Sequence, residues 1–284
     1  MESMPEPATP YNPSGFKAKE LRNDLRFPME GGALGAFATT VDGASKDDAA
    51  HAIKSNAKAI AEEAYKLYAA RDRKLLIVLQ GMDTSGKDGT TKALFRHTPP
   101  LNVGVAAFKK PSKEELAHDF LWRVHQRVPG AGQITVFNRS HYEDVLVVKV
   151  REFADARAVE QRYAQINDFE RLLAESGTTV LKFMLHISTE VQAERLRARL
   201  EEPDKRWKFK PGDLDDRALW PAFMEAYETA VSRCSTAHAP WYVIPSDKKK
   251  TRNAIIARLV RRTLEAMDPA YPDPGYRPGD FDIA

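Results

Sequence analysis

The chain has 284 residues, 43% of them hydrophobic and 29% charged, a balance that excludes wholesale disorder. Its apolar runs are shorter than the roughly 20 residues that cross a bilayer, and residues 1–10 lack the basic start of a secretory signal. Cys234 is the single cysteine, which excludes an internal disulfide and a cysteine-based zinc site. The net charge of +3 favours no partner class by itself. We expect a cytoplasmic protein without a membrane partner.

Helical segments alternate with short apolar runs along most of the chain. Residues 1–45 have weak periodicity and are predicted to form an extended arm, and residues 269–284 a tail rich in Pro, Gly and Asp. Between them, a domain is predicted over residues 46–268. The periodicity predicts helices over residues 46–68, 87–96, 112–127, 156–175, from 189 onward, 219–234 and 251–267. It predicts strands over residues 75–79, 103–108, 134–137, 180–187 and 241–244.

This alternation is typical of βαβ units and predicts an α/β fold with a mostly parallel sheet and helices on both faces. Ser45 and Ser112 are the expected N-caps of the first and third helices, and Glu115 completes a capping box with Ser112. Parallel sheets of this kind bind ligands beyond the carboxyl ends of their strands. The residues that follow the strands are therefore the first candidates for function.

A phosphate-binding loop follows the first predicted strand. Residues 81–87 have the spacing G-x-x-x-x-G-K and open a helix, so backbone N–H groups and the helix N-terminus can face phosphate oxygens while Lys87 reaches the phosphates. A glycine-containing turn with a surface lysine is the alternative, which the strand before and the helix after make unattractive. The expected phosphate-binding residues are Gly81, Thr84, Ser85, Gly86, Lys87, Asp88 and Gly89.

Two carboxylates mark a departure from the usual loop. Asp88 stands where a Ser or Thr magnesium ligand normally follows the lysine, and Asp83 lies inside the loop. A carboxylate facing phosphate is reasonable if Mg²⁺ lies between them, because hard cations prefer oxygen ligands. Asp83 is therefore a candidate metal ligand or base, and the alternative is an aspartate that stabilises the turn.

Polar residues also follow the third predicted strand. Asn138 can coordinate a metal through its carbonyl oxygen or hold a metal-bound water, and Arg139 can neutralise charge on a transferring phosphoryl group. Glu143 and Asp144 can serve the metal or an acceptor. The alternative for Arg139 is an ion pair with a neighbouring carboxylate, and for His141 a hydrogen-bonded structural histidine is favoured.

Two basic surfaces flank the predicted loop. The first, residues 195–217, resembles a lid that closes over phosphates, although an isolated charge run of this kind is more often a solvated turn. The second surrounds the end of the second strand. Two positive surfaces beside one phosphate site indicate a long polyanion. Their candidate residues are Lys109, Lys110, Arg123, Arg199, Lys205, Arg206, Lys208 and Arg217.

Together these residues resemble the polyphosphate kinase 2 family. The resemblance covers about residues 16–269 and rests on four segments: residues 81–89, residues 118–123 (HDFLWR), residues 137–144 (FNRSHYED) and the basic residues 195–217. It implies a three-layer, thymidylate-kinase-like P-loop fold with a helical lid. It also implies Mg²⁺- or Mn²⁺-dependent phosphoryl transfer between inorganic polyphosphate and a nucleotide with an adenine or guanine base.

The resemblance also implies roles for single residues. Asp83 would hold metal and help to activate the acceptor, Lys87 and Arg139 would bind the phosphates in transfer, and lid arginines such as Arg199 and Arg217 would clamp them. Family members that use diphosphates typically have Asp where this chain has Asn138 and Asn where it has Glu143, so this form resembles the subgroup that also accepts AMP. That difference leaves Asn138, Glu143 and Asp144 as alternatives for the second metal ligand, with Asp83 and Asp144 our chosen pair. The family implies a homodimer or homotetramer.

Two other functions remain as alternatives. An ATP-dependent nucleoside monophosphate kinase shares the fold, the loop and the lid, but Asp88 and the second basic surface count against it. A non-enzymatic nucleic-acid-binding protein would use the basic residues but leaves Asp83, Lys87 and Arg139 without a role. We therefore expect no nucleic-acid partner, and transfer directly between substrates without a phosphoenzyme.

Overall fold

A computed structural model describes residues 25–29, 31–41 and 45–283. Its strands are β1 (Lys74–Gln80), β2 (Val103–Ala107), β3 (Ile134–Asn138), β4 (Thr178–His186) and β5 (Trp241–Pro245). Its helices are α1 (Lys46–Ala70), α2 (Lys87–Leu94), α3 (Lys113–Leu116), α4 (Trp122–His125), α5 (Val147–Val150), α6 (Ala156–Glu175), α7 (Thr189–Glu201), α8 (Gly212–Ala218), α9 (Trp220–Cys234) and α10 (Lys249–Met267). Short 3-10 turns lie at Leu34–Ala36, Pro100–Asn102, His141–Asp144 and Arg206–Lys208.

The five strands form one parallel sheet in the order β2-β3-β1-β4-β5. β1 lies between β3 and β4, so the chain leaves β1 and β3 side by side at the same edge. Leu79 is in register with Asn138, and the Arg139 N–H donates to the Leu79 carbonyl at 3.1 Å. The sheet therefore places the loop after β1 beside the polar segment after β3.

Helices cover both faces of the sheet, as the sequence predicts for this α/β class. Along β1, Leu75, Ile77 and Leu79 belong to the hydrophobic core beneath α1 and α10, whereas Leu76 and Val78 belong to the core beneath α6 and α9. This alternation follows from the two-residue period of a strand. Because both faces are buried, the sheet is a rigid support for the loops at its edge.

The helix caps agree with the sequence in two places. The Ser45 side chain accepts a hydrogen bond from the Asp48 N–H, and Ser112 and Glu115 form the expected capping box. The predicted helix over residues 112–127 is wrong as a single helix, because it is divided into α3 and α4. The Asp119 carboxylate accepts a hydrogen bond from the Leu121 N–H at 2.9 Å, and such local side-chain bonds compete with helix continuation.

Several short elements are absent from the sequence-based predictions. The 3-10 turn His141–Asp144, helix α5 and helix α8 have too few residues to give a periodic signal. Of the predicted N-terminal arm, residues 1–24, 30 and 42–44 lie outside the described residues. Its described part includes a contact with β5, in which the Phe27 N–H donates to the Trp241 carbonyl at 2.8 Å. The boundaries at 45 and 268 and the lid at 195–217 stay predictions. Within the described residues, no helix combines the length and apolar composition needed to span a bilayer.

Candidate active site

The loop between β1 and α2 turns tightly, with three residues in positive-φ conformations. Gly81, Thr84 and Gly86 have positive φ angles of 144°, 66° and 107°. A Cβ atom on Gly81 would lie 2.7 Å from the Leu185 carbonyl oxygen, so only glycine fits at the start of the loop. The buried Thr84 Oγ1 and Ser85 Oγ atoms have no hydrogen-bond partner within the described part of the chain. The loop thus presents polar atoms that a bound phosphate can satisfy.

The Lys87 side chain bends back over this loop. Its Nζ atom donates to the Gly81 carbonyl at 2.8 Å and to the Met82 carbonyl at 3.3 Å. Burial and the nearby Arg139 guanidinium lower the pKa of Lys87 to about 8. Because an ammonium group has three N–H donors, one donor remains for a phosphate oxygen even when both carbonyl bonds are kept.

Arg139 joins the loop to the segment after β3. Its guanidinium contacts the Asp83 carboxylate at 2.5 Å and the Glu143 carboxylate at 3.0 Å, and the Gln80 amide donates to Glu143 at 3.0 Å. Arg139 has a positive φ angle of 61°, which turns the chain sharply after β3. We call Asp83, Lys87, Asp88, Asn138, Arg139 and Glu143 the strand-end cluster.

The charges in this cluster shift one another's pKa values. Burial raises the pKa of Asp83, but Arg139, Lys87 and Arg199 together outweigh it and leave that pKa below its usual range. Glu143 is the largest influence on Arg139 and, against the cost of burial, raises the pKa of its guanidinium. Asp83 and Arg139 are therefore both charged at neutral pH. The ion pair with carboxylates, given above as an alternative for Arg139, is present in the structure.

The two positions that depart from the usual pattern touch each other. The Asn138 side-chain amide donates a short hydrogen bond to the Asp88 carboxylate. An aspartate in place of Asn138 would bring two carboxylates into contact at this point, which raises the pKa of one of them unless a cation lies between them. The residue choice at 138 is thus coupled to the residue choice at 88.

The donor set suits a magnesium ion that is held partly by substrate. Asp83 and Asp88 supply carboxylates beside the loop, and the unpartnered Thr84 and Ser85 hydroxyls add oxygen donors. Within the described residues, no group of three or more His, Cys, Asp or Glu side chains is gathered for metal binding. Mg²⁺ commonly uses one or two carboxylates and completes its shell with water and substrate phosphates, so such a group is not required.

Asp144 has different neighbours. Its carboxylate lies 3.6 Å from Arg123 and 3.5 Å from Arg162, and burial raises its pKa despite these two cations. Both arginines compete with a metal ion for this carboxylate. The metal-ligand role of Asp144 stays a prediction, and its observed contacts favour a structural role.

A buried network begins at residues 141 and 142, between Arg139 and Glu143 of the cluster. Glu170 accepts hydrogen bonds from Lys182 at 2.5 Å and from the Tyr142 hydroxyl at 2.9 Å, and its carboxylate lies 3.1 Å from His141 Nε2. The Lys182 ammonium also donates to the Tyr142 hydroxyl and to the Cys234 carbonyl. All four polar side chains are fully buried. His141 is therefore the structural histidine that the sequence favoured.

Most basic residues of the lid segment, residues 195–217, bind groups close to them in the chain, whereas Arg195 donates to the Thr84 carbonyl of the phosphate loop. Arg199 contacts the Asp213 carboxylate at 3.0 Å, and Arg217 donates to the Thr189 carbonyl and the Gln192 side chain, each at 2.8 Å. Other contacts in this segment join Lys205 to Glu202, Arg206 to the Leu200 carbonyl, and Lys208 to the Trp207 ring. Arg199 is the lid cation that reaches Asp83 electrostatically, since it helps to lower the pKa of that carboxyl. The contacts of Arg217 in this structure are with α7 and not with the phosphate loop.

The second basic surface encloses a cavity of about 310 Å³ at the end of β2. The Arg123 guanidinium donates to the Lys109 carbonyl at 2.8 Å and lies over the Phe108 ring. The cavity brings together three residues that the sequence singled out, with Glu115 and Arg127 beside them: Lys109, Lys110 and Arg123. The structure therefore gathers these cations around one concave site.

Three residues near the site are missing from the sequence-based candidates. Gln80 ends an apolar run and binds Glu143, so its polarity at a buried strand end was a usable signal. Tyr227 on α9 lies close enough to Glu143 and Arg139 for their charges to affect its phenol, whose pKa burial raises. Arg252 on α10 contacts the phosphate loop. Tyr227 and Arg252 lie in ordinary helical patterns that gave no signal.

Comparison with known proteins assigns the family. Residues 43–272 match the family model described as polyphosphate kinase 2. The chain belongs to the polyphosphate kinase 2 family. A relative from Meiothermus ruber named AMP/ADP-polyphosphate phosphotransferase is 51% identical over 208 residues, covering 73% of this chain and 78% of the relative. A relative from Rhodopseudomonas palustris named ADP-polyphosphate phosphotransferase is 36% identical over 254 residues, which cover 84% of this chain and 88% of the relative.

A solved structure supports the same assignment. The crystal structure of polyphosphate kinase 2 from Arthrobacter aurescens TC1 has a TM-score of 0.86 and 38% identity to this chain, with 97% of this chain and 96% of that chain covered. The α/β fold expected from the resemblance is therefore confirmed. This polyphosphate kinase 2 chain carries the strand-end cluster at the carboxyl ends of β1 and β3, where such sheets bind their ligands.

Proposed function

We propose that this protein transfers the terminal phosphoryl group of inorganic polyphosphate to AMP and to ADP, reversibly, in a reaction that requires Mg²⁺ or Mn²⁺. The observation that carries the proposal is the contact of Arg139 with both Asp83 and Glu143 at the mouth of the phosphate loop. Membership of the polyphosphate kinase 2 family and the names of the two relatives support the choice of substrates.

The transfer is proposed to occur in one step. A phosphate oxygen of the nucleotide forms a bond to the terminal phosphorus of polyphosphate, the bond to the bridging oxygen breaks, and the shortened polyphosphate leaves with that electron pair. Lys87 and the loop N–H groups hold the phosphates in line, and Arg139 offsets negative charge on the transferring group. Asp83 and Glu143 fix the Arg139 guanidinium in position.

No phosphoenzyme is needed in this scheme. His141 is fully buried and bound to Glu170, and the His118 ring is stacked on Trp122 at 4.1 Å. These contacts do not favour either histidine as a nucleophile that attacks phosphorus. Trapping a phosphohistidine at either position would contradict direct transfer.

Asp83 and Asp88 are proposed to hold the metal beside the loop. When bound, the divalent ion offsets phosphate charge and helps to orient the transferring group. The Asn138 amide holds Asp88 in place through its hydrogen bond, so Asn138 acts on the metal site through that carboxylate. Gly81, Gly86 and Gly89 let the loop and the first turn of α2 approach the phosphates closely.

AMP is proposed as an acceptor because of residues 138 and 143. The chain has Asn138 and Glu143, which resemble the subgroup that accepts monophosphates, and the Meiothermus ruber relative carries both AMP and ADP in its name. Glu143 is held by Gln80 and Arg139, so its carboxylate has a fixed position beside the reacting phosphates. The base is proposed to be adenine or guanine.

The long donor is proposed to run across the two basic surfaces. The cavity at the end of β2 and the lid segment place positive charge on either side of the loop, and such charge attracts a polyanion. A role for Lys109, Lys110 and Arg123 in binding the polyphosphate chain follows, together with the lid residues Arg199, Lys205, Arg206, Lys208 and Arg217.

A homodimer or homotetramer in the cytoplasm is also proposed. Light scattering of the purified protein tests the assembly.

The first experiment supplies the protein with Mg²⁺, long-chain polyphosphate and either AMP or ADP, and follows the nucleotides by chromatography. ADP and then ATP formed from AMP supports the proposal. ATP formed from ADP alone contradicts the AMP activity. No product with polyphosphate, together with phosphorylation of AMP by added ATP, would replace the proposal with an ATP-dependent nucleoside monophosphate kinase. A matched reaction with Lys87→Ala controls for contaminating kinases.

A further inference from the structure

Two arginines from different helices meet behind the phosphate loop. Arg252 Nη1 on α10 donates to the Ser85 carbonyl at 2.6 Å. Arg195 Nη1 on α7 donates to the Thr84 carbonyl at 2.9 Å and reaches the Ser85 carbonyl at 3.5 Å. Arg195 Nη2 donates to the Ser246 and Asp247 carbonyls at 2.9 and 2.7 Å. Both guanidiniums therefore converge on one peptide group of the loop.

That peptide group joins Ser85 to Gly86. In a trans peptide the C=O and N–H groups point in opposite directions, so fixing the Ser85 carbonyl toward the arginines directs the Gly86 N–H to the other side. The Gly86 N–H is also one of the first N–H groups of α2, which have no partner within the helix. An N–H group in this place is a donor for a phosphate oxygen.

Gly86 itself is shaped by the same contact. A Cβ atom at Gly86 would lie 2.0 Å from Arg252 Nη1 and 2.5 Å from its Cζ atom. Any side chain here would have to displace the guanidinium, and Gly86 also has a φ angle of 107° that disfavours other residues. The glycine and the arginine thus form one packing unit behind the loop.

The backbone partners of these two arginines are neutral carbonyl oxygens. Within the described residues, no carboxylate forms an ion pair with Arg195 or Arg252, and the acceptors for Arg252 are the Ser85 carbonyl and the Asn253 side-chain oxygen. Arg252 is only 2% exposed, and burial, with the nearby Arg195, lowers its pKa to about 9. One buried and one partly buried positive charge, Arg252 and Arg195, therefore lie beside a loop whose backbone can receive phosphate.

We propose that Arg195 and Arg252 are positioning residues for phosphoryl transfer: they hold the Ser85–Gly86 peptide so that its N–H faces the phosphates, and they hold positive charge behind the loop. The inference rests on the proposed function, and it adds residues that touch no substrate. It accounts for two arginines against the loop, Arg252 buried and Arg195 partly buried, that the transfer step itself does not use. A merely structural role for the same arginines would affect folding but not the rate of the folded enzyme.

Arg252→Ala tests the proposal, with Arg233→Ala as the matched control. Arg233 lies on α9, where it contacts Glu160 on the surface and the Tyr163 ring, so its loss removes an arginine away from the loop. For Arg252→Ala we expect kcat to fall about 10²-fold, comparable to the loss of one oriented backbone donor. KM for AMP should change less than about threefold, because the acceptor contacts are untouched. Guanidinium at millimolar concentration should restore part of kcat, whereas urea should not.

Arg252→Lys and a double-substitution cycle keep the test decisive if Arg252→Ala folds poorly. Arg252→Lys retains charge without the planar fork and should have an intermediate kcat. Arg195→Ala combined with Arg252→Ala should lower kcat by less than the product of the single losses, because both act on one peptide group. Unchanged kcat in a folded Arg252 variant, a loss that guanidinium does not reverse, or losses that multiply would each overturn the proposal.

Binding of tripolyphosphate separates this proposal from the proposed function. If the wild-type protein transfers nothing from polyphosphate, the function fails, but calorimetry with tripolyphosphate still reports the loop. Arg252→Ala should then weaken binding about tenfold or more relative to wild type and Arg233→Ala, because the Gly86 N–H is no longer held toward the phosphate. Equal affinity in all three proteins would overturn the positioning role independently of any activity.

Discussion

The strand-end cluster and the lid segment are both rich in charge, but their charges have different kinds of partner. In the cluster, Arg139 contacts Asp83, a residue 56 positions away, and Asn138 contacts Asp88, 50 positions away. In the lid segment, Arg199 contacts Asp213, 14 positions away, and Lys205 contacts Glu202 in the same turn. The cluster is therefore fixed by the sheet, whereas the contacts of Arg199 and Lys205 are local.

This difference separates two tasks. Groups held by two strands of a buried sheet keep their geometry without substrate, which is the preorganisation that phosphoryl transfer requires. Local ion pairs near the surface contribute little stability, so their arginines can exchange a carboxylate for phosphate when the substrate arrives. We expect substitutions in the cluster to lower kcat and substitutions in the lid segment to change the apparent affinity for polyphosphate.

The largest expected effect is that of Lys87→Ala. It removes the ammonium that faces the loop, and we expect the transfer rate to fall about 10³-fold or more, as for other cations at transferring phosphates. The fold should persist, because the Lys87 hydrogen bonds are to carbonyls of its own loop. Steady-state kinetics and a thermal melt measure both. The control is Lys92→Ala, which removes an exposed lysine on the same helix. Wild-type turnover by Lys87→Ala would contradict the assignment of residues 81–87 as the phosphate-binding loop.

The second effect is that of Arg139→Met on rate and pH dependence. We expect kcat to fall about 10²-fold, because the cation that contacts both carboxylates is lost. Arg139 helps to lower the pKa of Asp83 and, after burial, lowers that of Lys87. Without it both pKa values rise, so the acid and alkaline limbs of kcat/KM should both move to higher pH.

Measuring kcat/KM against pH for both proteins checks this expectation. In the wild type, the alkaline limb of the free enzyme should lie near the Lys87 pKa of about 8. Arg139→Lys keeps a positive charge and should shift the profile less than Arg139→Met does. A profile that keeps its position in Arg139→Met would show that neither Asp83 nor Lys87 sets the limbs.

All six residues of the strand-end cluster are candidates from the sequence, but most of their contacts could not be predicted, and the reason lies in chain distance. The glycines and Lys87 form a contiguous motif, so spacing alone located the loop. The contact of Asn138 with Asp88 depends on the parallel register of β1 and β3, which no local pattern reports. Arg252 and Tyr227 were missed for the same reason: their helical patterns reveal a buried face but not the loop against which that face packs.

The fold was easier to predict because βαβ periodicity repeats along the chain. All five predicted strands are present, and the parallel order follows from the helices that connect them. The single predicted helix over residues 112–127 failed because one aspartate, Asp119, binds the backbone two residues later. A single side-chain-to-backbone hydrogen bond of this kind does not change the hydrophobic periodicity of the sequence, so the periodicity could not predict it.

A smaller effect is expected in the lid segment, from Asp213→Asn. Asp213 is buried and neutralises Arg199, and both burial and nearby Asp83 raise its pKa. Its amide replacement should free Arg199 for phosphate and lower KM for polyphosphate about threefold, with kcat nearly unchanged, as expected for one partly exposed ion pair. Asp215→Asn, an exposed residue on the same helix, is the control. A rise in KM would show that Asp213 orients Arg199 for binding instead of competing for it.

The smallest expected effect is that of Lys110→Ala at the cavity beside β2. Lys110 is exposed, and its charge is screened by salt, so we expect KM for long polyphosphate to rise only about two- to threefold at low ionic strength. Tripolyphosphate should be affected less, because a short chain extends less far from the loop than long polyphosphate does. Comparing the two donors at low and high salt checks the expectation, and equal effects on both donors would contradict a role in binding the long chain.

The buried network of His141, Tyr142, Glu170 and Lys182 has a consequence for how this enzyme can diverge. Lys182 and Glu170 are fully buried, and losing either partner alone leaves an isolated charge in the core. The residues at 141 and 142 bind this pair, while Asn138 contacts Asp88 and Glu143 contacts Arg139 in the strand-end cluster. Within the seven residues 138–144, we expect positions 138 and 143 to tolerate substitutions that alter acceptor choice. We expect positions 141 and 142 not to tolerate them, because they bind the buried pair. New specificities are therefore expected to arise by changes at 138 and 143 in steps that leave 141 and 142 unchanged.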